Sequence, residues 1–140
     1  MKYHNKNLLI EKIKVQNIVK KLGTPTYCYS YKQLKENINN FKKSFNSFSP
    51  LICFSIKSNN NLNIIREIKK LGLGADVVSM GELMLSLKAG INPKKIVFSG
   101  VGKTSAEIKY AIEKKILLIN AESKSEVIEI EKIAKSKKKK

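Results

Sequence analysis

Short apolar runs recur in the second part of the chain at nearly constant separations. They begin near Leu51, Ala75, Ile96 and Leu117. The segments between them place apolar residues three and four positions apart, which predicts a helix after each run, at residues 62–71, 81–89, 105–114 and 123–135. A repeated strand–helix unit predicts an α/β fold with a parallel sheet, either a (β/α) barrel or an open doubly wound sheet. No Gly-x-Gly-x-x-Gly sequence follows the first run, which disfavours a dinucleotide-binding sheet.

The first part of the chain predicts a different arrangement. Residues 8–13 predict a short strand, residues 15–22 a short helix and residues 26–29 a second strand. Ser30 then begins a helix over residues 31–48, because serine is a favoured N-cap and apolar side chains follow at helical spacing. These elements precede the strand–helix repeat and do not share its period.

Lys57 stands directly after the first apolar run of the repeat. Residues 51–56 predict a strand buried on both faces, and the asparagines after Lys57 predict a turn into the next helix. The carboxyl ends of parallel strands are where α/β folds build ligand sites. Position alone leaves two interpretations open. Lys57 is either a solvated lysine that ends a strand, or a desolvated lysine whose neutral amine forms a Schiff base with an aldehyde cofactor.

The formal net charge of +17 is high for a chain of 140 residues. A basic surface is typical of nucleic-acid binding, so this function stays open as an alternative. The lysines are spread over the predicted helix faces, however, and Arg66 is the sole arginine, whereas sequence-reading proteins rely heavily on arginine. The excess of Lys, Asn and Ile suggests a compositional bias of the source genome. We therefore do not expect a dedicated nucleic-acid function.

Cys28 and Cys53 both lie inside apolar, strand-like runs, which predicts reduced core residues of a cytoplasmic protein. Their spacing fits no metal site. His4 is the only histidine and lies near the N-terminus, so these residues can assemble no Ser-His or Cys-His catalytic set. No apolar run reaches the length of a membrane span, and the first residues lack the apolar core of a signal peptide. We expect neither a metal nor a membrane as a partner.

Three sequence blocks follow one another around and after Lys57. The first is FSIKSN at residues 54–59, followed by an apolar helix that ends at Gly72. The second is GADVVSMGEL at residues 74–83, and the third is IVFSGVGKT at residues 96–104. In order and spacing they resemble the pyridoxal-phosphate attachment region of the fold-type III decarboxylases, which act on ornithine, arginine or diaminopimelate. The third block is particularly similar to the diaminopimelate branch, and the resemblance extends over residues 8–131.

The resemblance implies that Lys57 is the catalytic lysine and that it binds pyridoxal 5′-phosphate as a Schiff base. It also implies a cofactor-binding role for Asp76, whose negative charge would favour the protonated Schiff base. Ser79, Ser99 and Asn120 end successive strands at the same edge, where small polar residues suit a pocket, and we expect Ser79 and Ser99 to contact the cofactor. Each of these residues also has an ordinary interpretation, as a strand-entry aspartate or a small polar strand terminator.

Three further residues of these blocks have weaker signals. Glu82 is predicted to cap the helix that follows Ser79. Gly100 and Gly102 either let the backbone approach a ligand or only turn the chain, because two glycines do not define a phosphate cradle.

The family fold is a (β/α)₈ barrel joined to a β-domain, and about four strand–helix units are present here. The resemblance implies that residues 1–30 associate with the C-terminal β-domain, whereas residues 31–140 form the first part of the pyridoxal-phosphate barrel. We expect the chain to be the N-terminal portion of a longer protein that forms a homodimer. The family's ring-stacking histidine, phosphate loop and pyridine partner would then lie beyond it. The lysines at residues 137–140 are predicted to be a solvated helix end.

The leading hypothesis is decarboxylation of meso-diaminopimelate to L-lysine, with pyridoxal phosphate as cofactor and with the 140 residues inactive on their own. The first alternative is an ornithine- or arginine-type decarboxylase of the same family. The alternatives from other classes are a non-catalytic half-barrel, which would bind other chains through its open strand edges, and a basic nucleic-acid binder.

Overall fold

The computed structural model describes residues 2–45 and 47–137, which form two compact units. The first unit ends at Ser49 and the second begins at Pro50. None of the helices in the described residues is long and apolar enough to cross a membrane. The lysines at residues 137–140 were predicted to be a solvated helix end. Lys137 forms an ion pair with Glu113 at 2.7 Å, and residues 138–140 lie outside the described part of the chain.

The first unit combines a small antiparallel sheet with two helices. Strands β1 (Lys2–His4), β2 (Asn7–Ile10) and β3 (Ile13–Lys14) pair in chain order, and helices α1 (Val15–Leu22) and α2 (Tyr31–Lys43) follow them. Helix α1 has the limits that the sequence predicts.

Glu11 explains why the strand predicted at residues 8–13 is divided in two. Its backbone is left-handed, with φ of 56°, so the chain reverses direction between β2 and β3. The Glu11 carboxylate accepts hydrogen bonds from the Ser30 hydroxyl at 2.8 Å and from the Lys32 N–H at 2.9 Å. These hydrogen bonds hold the pKa of Glu11 below its usual value, and the bond from the Lys32 N–H has the larger effect of the two.

The second strand predicted for this unit does not form. Residues 26–29 have no strand partner among the described residues, and a short extended segment becomes a strand only when another backbone segment pairs with it. Tyr27 is 89% exposed, and Cys28 is exposed as well. The prediction that Cys28 is a core residue is therefore wrong.

Helix α2 begins where the sequence predicts and ends earlier. Ser30 Oγ accepts the Gln33 N–H at 3.1 Å, which confirms Ser30 as the N-cap. The helix predicted to reach residue 48 ends at Lys43. The chain then turns, and the turns bring three aromatic rings edge to face, with centroid separations of 5.2 and 5.6 Å: Phe41, Phe45 and Phe48.

The second unit contains the strand–helix repeat. Its four strands are parallel and neighbour one another in chain order: β4 (Cys53–Ser55), β5 (Gly74–Val77), β6 (Ile96–Phe98) and β7 (Leu118–Ile119). A doubly wound sheet changes its strand order at a switch point, whereas a barrel keeps the order of the chain. The topology therefore favours the barrel over the doubly wound alternative.

A helix follows every strand of this sheet. The four helices begin and end within one residue of the predicted limits: α3 (Leu62–Lys70), α4 (Met80–Lys88), α5 (Ser105–Lys114) and α6 (Lys124–Ser136). Each has a polar N-cap whose side chain accepts a backbone N–H of the first turn: Asn61, Ser79, Thr104 and Ser123. Short 3₁₀ turns lie at Ile56–Ser58 and Pro93–Lys95.

One face of the sheet packs against the helices and forms the core. Buried residues of β5 and β6 cluster there with buried residues of α3, α4 and α5: Ala75, Val77, Ile96, Phe98, Ile65, Leu83 and Ala111. Burying a large apolar side chain contributes about 1.5–3 kcal/mol. Because side chains alternate along a strand, Asp76 and Val97 point to the opposite face.

The opposite face is only partly covered by the described residues. Phe54 of β4 packs against the core, whereas Cys53 and Ser55 are half-buried on the other side. The prediction that residues 51–56 are buried on both faces is therefore wrong for this part of the chain, because the described helices cover one face. Ser55 lies in register with Asp76, so both stand on the open face.

Gly74 allows β5 to approach its neighbours closely. A methyl group at this position would clash with the Lys95 carbonyl oxygen and would lie 2.9 Å from Cys53 Sγ. Cys53 Sγ thus lies close to β5 and 3.8 Å from the Lys95 carbonyl oxygen, and the residue is half-buried. Burial, and in second place the charge of Asp76, raise the pKa of the Cys53 thiol.

Candidate functional site

Four polar side chains, one for each strand, form a hydrogen-bonded row at the carboxyl edge of the parallel sheet. The Ser99 hydroxyl donates to Asp76 Oδ1 at 2.7 Å, and the Ser55 hydroxyl donates to Asp76 Oδ2 at 3.3 Å. The Asn120 side-chain amide donates to Ser99 Oγ at 3.0 Å. We call Ser55, Asp76, Ser99 and Asn120 the Asp76 row. The structure thus brings together three of the residues predicted for the site, Asp76, Ser99 and Asn120.

The backbone fixes the positions of this row. The Ser99 N–H donates to the Val77 carbonyl at 2.8 Å, and the Asn120 N–H donates to the Phe98 carbonyl at 2.9 Å. The parallel ladder therefore continues one residue beyond β6 and one residue beyond β7. The backbones of both residues therefore follow the sheet ladder.

Asp76 is the only charged residue of the row. It is half-buried, and both of its carboxylate oxygens accept a hydroxyl hydrogen. Within residues 2–45 and 47–137, no lysine or arginine forms an ion pair with it. The two hydroxyl groups fix the orientation of the carboxylate, which is suited to binding a cationic group.

Lys57 lies at the same edge, on the 3₁₀ turn Ile56–Ser58 that directly follows β4. Ile56 is fully buried and anchors the turn, and the Ser58 hydroxyl donates to the Ser55 carbonyl at 2.7 Å. Lys57 itself is exposed. Its predicted place at the carboxyl end of the strand is confirmed, but the described residues do not bury its side chain as the desolvated interpretation expects.

Ser79 is not part of the Asp76 row. It is the N-cap of α4, and its Oγ accepts the Glu82 N–H at 3.3 Å. Glu82 Oε2 in turn accepts the Val78 N–H at 2.9 Å, so Glu82 contacts the backbone just before the N-cap of α4 and does not form the reciprocal bond of a capping box. The hydroxyl hydrogen of Ser79 has no acceptor among the described residues.

Gly100 and Gly102 turn the chain after β6, with φ of 97° and 76°. Only glycine adopts such values without strain. The Gly100 N–H donates to Glu122 Oε1 at 3.2 Å, and a methyl group on Gly100 would lie 3.3 Å from Val78 Cβ. Because the Gly100 N–H is already bonded to a carboxylate, the turning role of this glycine is favoured over a phosphate cradle.

Lys103 follows this turn, and its side chain is buried. Its side chain is 2% exposed, and its ammonium group donates to the Gly100 carbonyl at 2.6 Å, the Asn120 carbonyl at 2.7 Å and Glu126 Oε1 at 3.0 Å. The Glu126 side chain is 9% exposed. We call Lys103, Glu126 and these two carbonyl groups the Lys103 clamp. This clamp was not predicted from the sequence, although Lys103 follows the third strand and Glu126 lies in the first turn of α6.

The sequence of residues 31–139 matches the profile of a protein family described as the pyridoxal-binding domain of pyridoxal-dependent decarboxylases. The chain belongs to this family. Pyridoxal phosphate is the cofactor of the family, and its members have a TIM-like barrel, to which the four parallel strands and their helices correspond.

Individual relatives agree with this assignment. A diaminopimelate decarboxylase from Helicobacter pylori (strain J99) is 48% identical over 113 residues, which are 81% of this chain and 28% of the relative. The crystal structure of AQ1208 from Aquifex aeolicus matches with a TM-score of 0.94 and 40% identity, over 99% of this chain and 34% of that one. The crystal structure of diaminopimelate decarboxylase from Helicobacter pylori complexed with L-lysine matches with a TM-score of 0.86 and 42% identity, over 89% and 32%. The chain spans about a third of the length of these relatives.

The carboxyl edge of the sheet fits the family cofactor. Lys57 provides an exposed primary amine at the end of β4, and Asp76 on the neighbouring strand provides a half-buried carboxylate that pairs with no cation in the described residues. Lys57 would hold the cofactor covalently, and the Asp76 row would face it. No group of three or more metal-ligating side chains lies together in the described part of the chain.

Proposed function

We propose that this chain carries the cofactor-anchoring part of an enzyme that decarboxylates meso-diaminopimelate to L-lysine. The observation that carries the proposal is the 48% identity with a diaminopimelate decarboxylase over residues that include the site. The relative from Helicobacter pylori that was crystallised with L-lysine supports the same substrate class, because L-lysine is the product of the proposed reaction.

Lys57 is the catalytic residue in this proposal. Its amine binds pyridoxal phosphate covalently, and the buried Ile56 holds the turn on which it stands. When it is bound, pyridoxal phosphate accepts the electron pair that remains on the substrate after carbon dioxide departs. The exposure of Lys57 leaves the amine accessible to the cofactor.

Asp76 has an electrostatic role. Its carboxylate stands one strand away from Lys57 and favours positive charge on the group that Lys57 holds. Ser99 and Ser55 fix the two oxygens of this carboxylate, and Ser99 is itself held by the Asn120 amide. Ser99 therefore acts both as a residue of the cofactor site and as the main support of Asp76.

Ser79 is also assigned to the cofactor site. Its oxygen already accepts the Glu82 N–H, but its hydroxyl hydrogen has no acceptor in the described residues and is available for donation to the cofactor. Its position two residues after β5, as the N-cap of α4, supports this role, because helix N-termini favour anionic groups.

The proposal extends to the architecture of the complete enzyme. Residues 31–140 belong to the barrel, and residues 1–30 associate with the β-domain, which the start of the family match at residue 31 supports. The enzyme is a cytoplasmic homodimer that acts on a small amino acid. The net charge of +17 has no nucleic-acid function in this account.

A carbon-dioxide release assay tests the proposed function. The intact gene product that contains these 140 residues is expected to act on meso-diaminopimelate in preference to ornithine and arginine, whereas residues 1–140 alone show no turnover. Lys57→Ala should abolish the activity, and Lys88→Ala, at an exposed lysine at the end of α4, should leave it unchanged. Preference for ornithine or arginine would favour the sister decarboxylases. Absence of turnover with all three substrates would favour a non-catalytic barrel.

A further inference from the structure

The Lys103 clamp encloses two opposite charges near the Asp76 row. The ammonium group of Lys103 has three hydrogens, and the three acceptors of the clamp use all of them. Removing charges from water is costly, and full pairing offsets that cost. A lysine that is held in this way is unavailable as a nucleophile or as a phosphate ligand. Its effect must therefore be exerted through the groups that it binds.

Glu126 closes a ring of hydrogen bonds around the clamp. Its Oε2 accepts the Glu122 N–H at 2.6 Å, and Glu122 Oε1 accepts the Gly100 N–H. Gly100 returns to Lys103 through its carbonyl group. Burial by itself would raise the pKa of Glu126, but the Glu122 N–H and the Lys103 ammonium together hold it below its usual value. The ring ties the turn after β6 to the start of α6.

The two carbonyl groups of the clamp connect it to the Asp76 row. Gly100 directly follows Ser99, whose hydroxyl binds Asp76 Oδ1. Asn120 belongs to the row itself, and its amide binds Ser99 Oγ. Lys103 therefore holds together the ends of β6 and β7 at the points from which Ser99 and Asn120 project.

We propose that Lys103 is a positioning residue that sets the orientation of the Asp76 carboxylate by holding Ser99 and Asn120 in place. This inference rests on the proposed function, in which the Asp76 carboxylate favours positive charge on the group that Lys57 holds. All three ammonium hydrogens of Lys103 are bonded within the clamp, so in this proposal it acts through the residues that it holds. Its removal separates the ends of β6 and β7, breaks the Asn120–Ser99 bond and weakens the Ser99–Asp76 bond.

The test follows the visible absorbance of the bound cofactor against pH in the intact gene product. Asp76→Asn is expected to lower the midpoint of this titration, because the Asp76 anion favours positive charge on the group that Lys57 holds. Lys103→Met is expected to shift the midpoint in the same direction, and the double variant should equal Asp76→Asn alone. A direct charge effect of Lys103 would have the opposite sign, because removal of a cation favours positive charge nearby.

An unchanged or raised midpoint in Lys103→Met would overturn the inference, and so would shifts that add in the double variant. If Lys103→Met does not fold, the double variant Lys103→Met with Glu126→Gln replaces it, because this pair of changes removes both charges of the ion pair.

A crystal structure of the cofactor-free variant supplies a second readout. The Asn120–Ser99 bond, 3.0 Å here, should be lost, and its persistence would contradict the inference. If the unsubstituted protein shows no Lys57-dependent absorbance, the proposed function is wrong, and the crystallographic distance still tests the clamp.

Discussion

Ser99 donates its hydroxyl hydrogen to Asp76 Oδ1 over 2.7 Å, whereas Ser55 reaches the other oxygen of the same carboxylate over 3.3 Å. Two hydroxyl groups, from the strands on either side of β5, therefore support one carboxylate unequally. Hydrogen bonds to charged groups contribute about 1.5–3 kcal/mol, and shorter bonds are the stronger ones. Ser99 is thus the principal support of Asp76.

This inequality predicts different losses for two matched serine variants. Ser99→Ala is expected to lower kcat of the proposed decarboxylation about tenfold, which corresponds to about 1.4 kcal/mol. Ser55→Ala removes the longer bond and should have a smaller effect. Steady-state kinetics of both variants, at equal cofactor occupancy, provide the measurement. An equal or larger loss in Ser55→Ala would contradict the assigned order of the two bonds.

Gly74→Ala should destabilise the second unit. The added methyl group meets the Lys95 carbonyl and Cys53 Sγ, and overpacking of this kind costs about 1–3 kcal/mol. Gly81→Ala is the matched control, because Gly81 lies in α4 with only Ser79 Oγ near its added methyl group, at 3.9 Å. Alanine is the better helix former there, so the control should be stabilised by about 0.5–1 kcal/mol. Urea unfolding measures both, and a neutral Gly74→Ala would show that the strands can move apart.

The two cysteines should differ in reactivity. Cys28 is exposed, whereas Cys53 is half-buried and has a raised pKa, which lowers its thiolate fraction at neutral pH. Iodoacetamide labelling followed by peptide mass spectrometry should therefore modify Cys28 first in the folded protein. Labelling in urea, where both thiols are accessible, serves as the control. Equal rates in the folded protein would argue against the partial burial of Cys53.

The lowered pKa of Glu107 should make the free energy of unfolding sensitive to acid. The Thr104 N–H lowers the pKa of its carboxyl group most, and the Met80 N–H adds to this effect against the opposing influence of burial. A lowered pKa in the folded state contributes stability above the usual value of 4.5, and this contribution is lost as the pH falls through the folded pKa. Glu107→Gln should thus flatten the fall in unfolding free energy below pH 4.5. Glu36→Gln, which removes an exposed helix carboxylate 3.9 Å from Lys32, is the matched charge-removal control. Equal slopes in Glu107→Gln and the unsubstituted protein would contradict the assignment.

The helices could be predicted closely because their signals are local. Apolar spacing and a polar N-cap define each helix of the repeat, and both can be seen in the sequence. Strand formation and burial depend on partners elsewhere in the chain. Residues 26–29 have the composition of a strand but no pairing segment in the described residues, and Cys28 is consequently exposed.

The site could be predicted only in part. The FSIKSN block indicates Lys57, and strand periodicity places Asp76, Ser99 and Asn120 at one edge. The Lys103–Glu126 pair was not predicted, because a charged residue predicts exposure and these partners are 23 residues apart. Similarly, position alone does not reveal that Ser79 caps a helix while Ser99 binds Asp76.

The attachment of the cofactor to Lys57 is the central claim, and peptide mapping tests it most directly. The intact gene product is loaded with pyridoxal phosphate, reduced with borohydride and digested, and the labelled peptide is identified by mass spectrometry. We predict that the label lies on Lys57 within FSIKSN and that it is absent from Lys57→Ala. A label on another lysine, with Lys57 unmodified, would contradict the account.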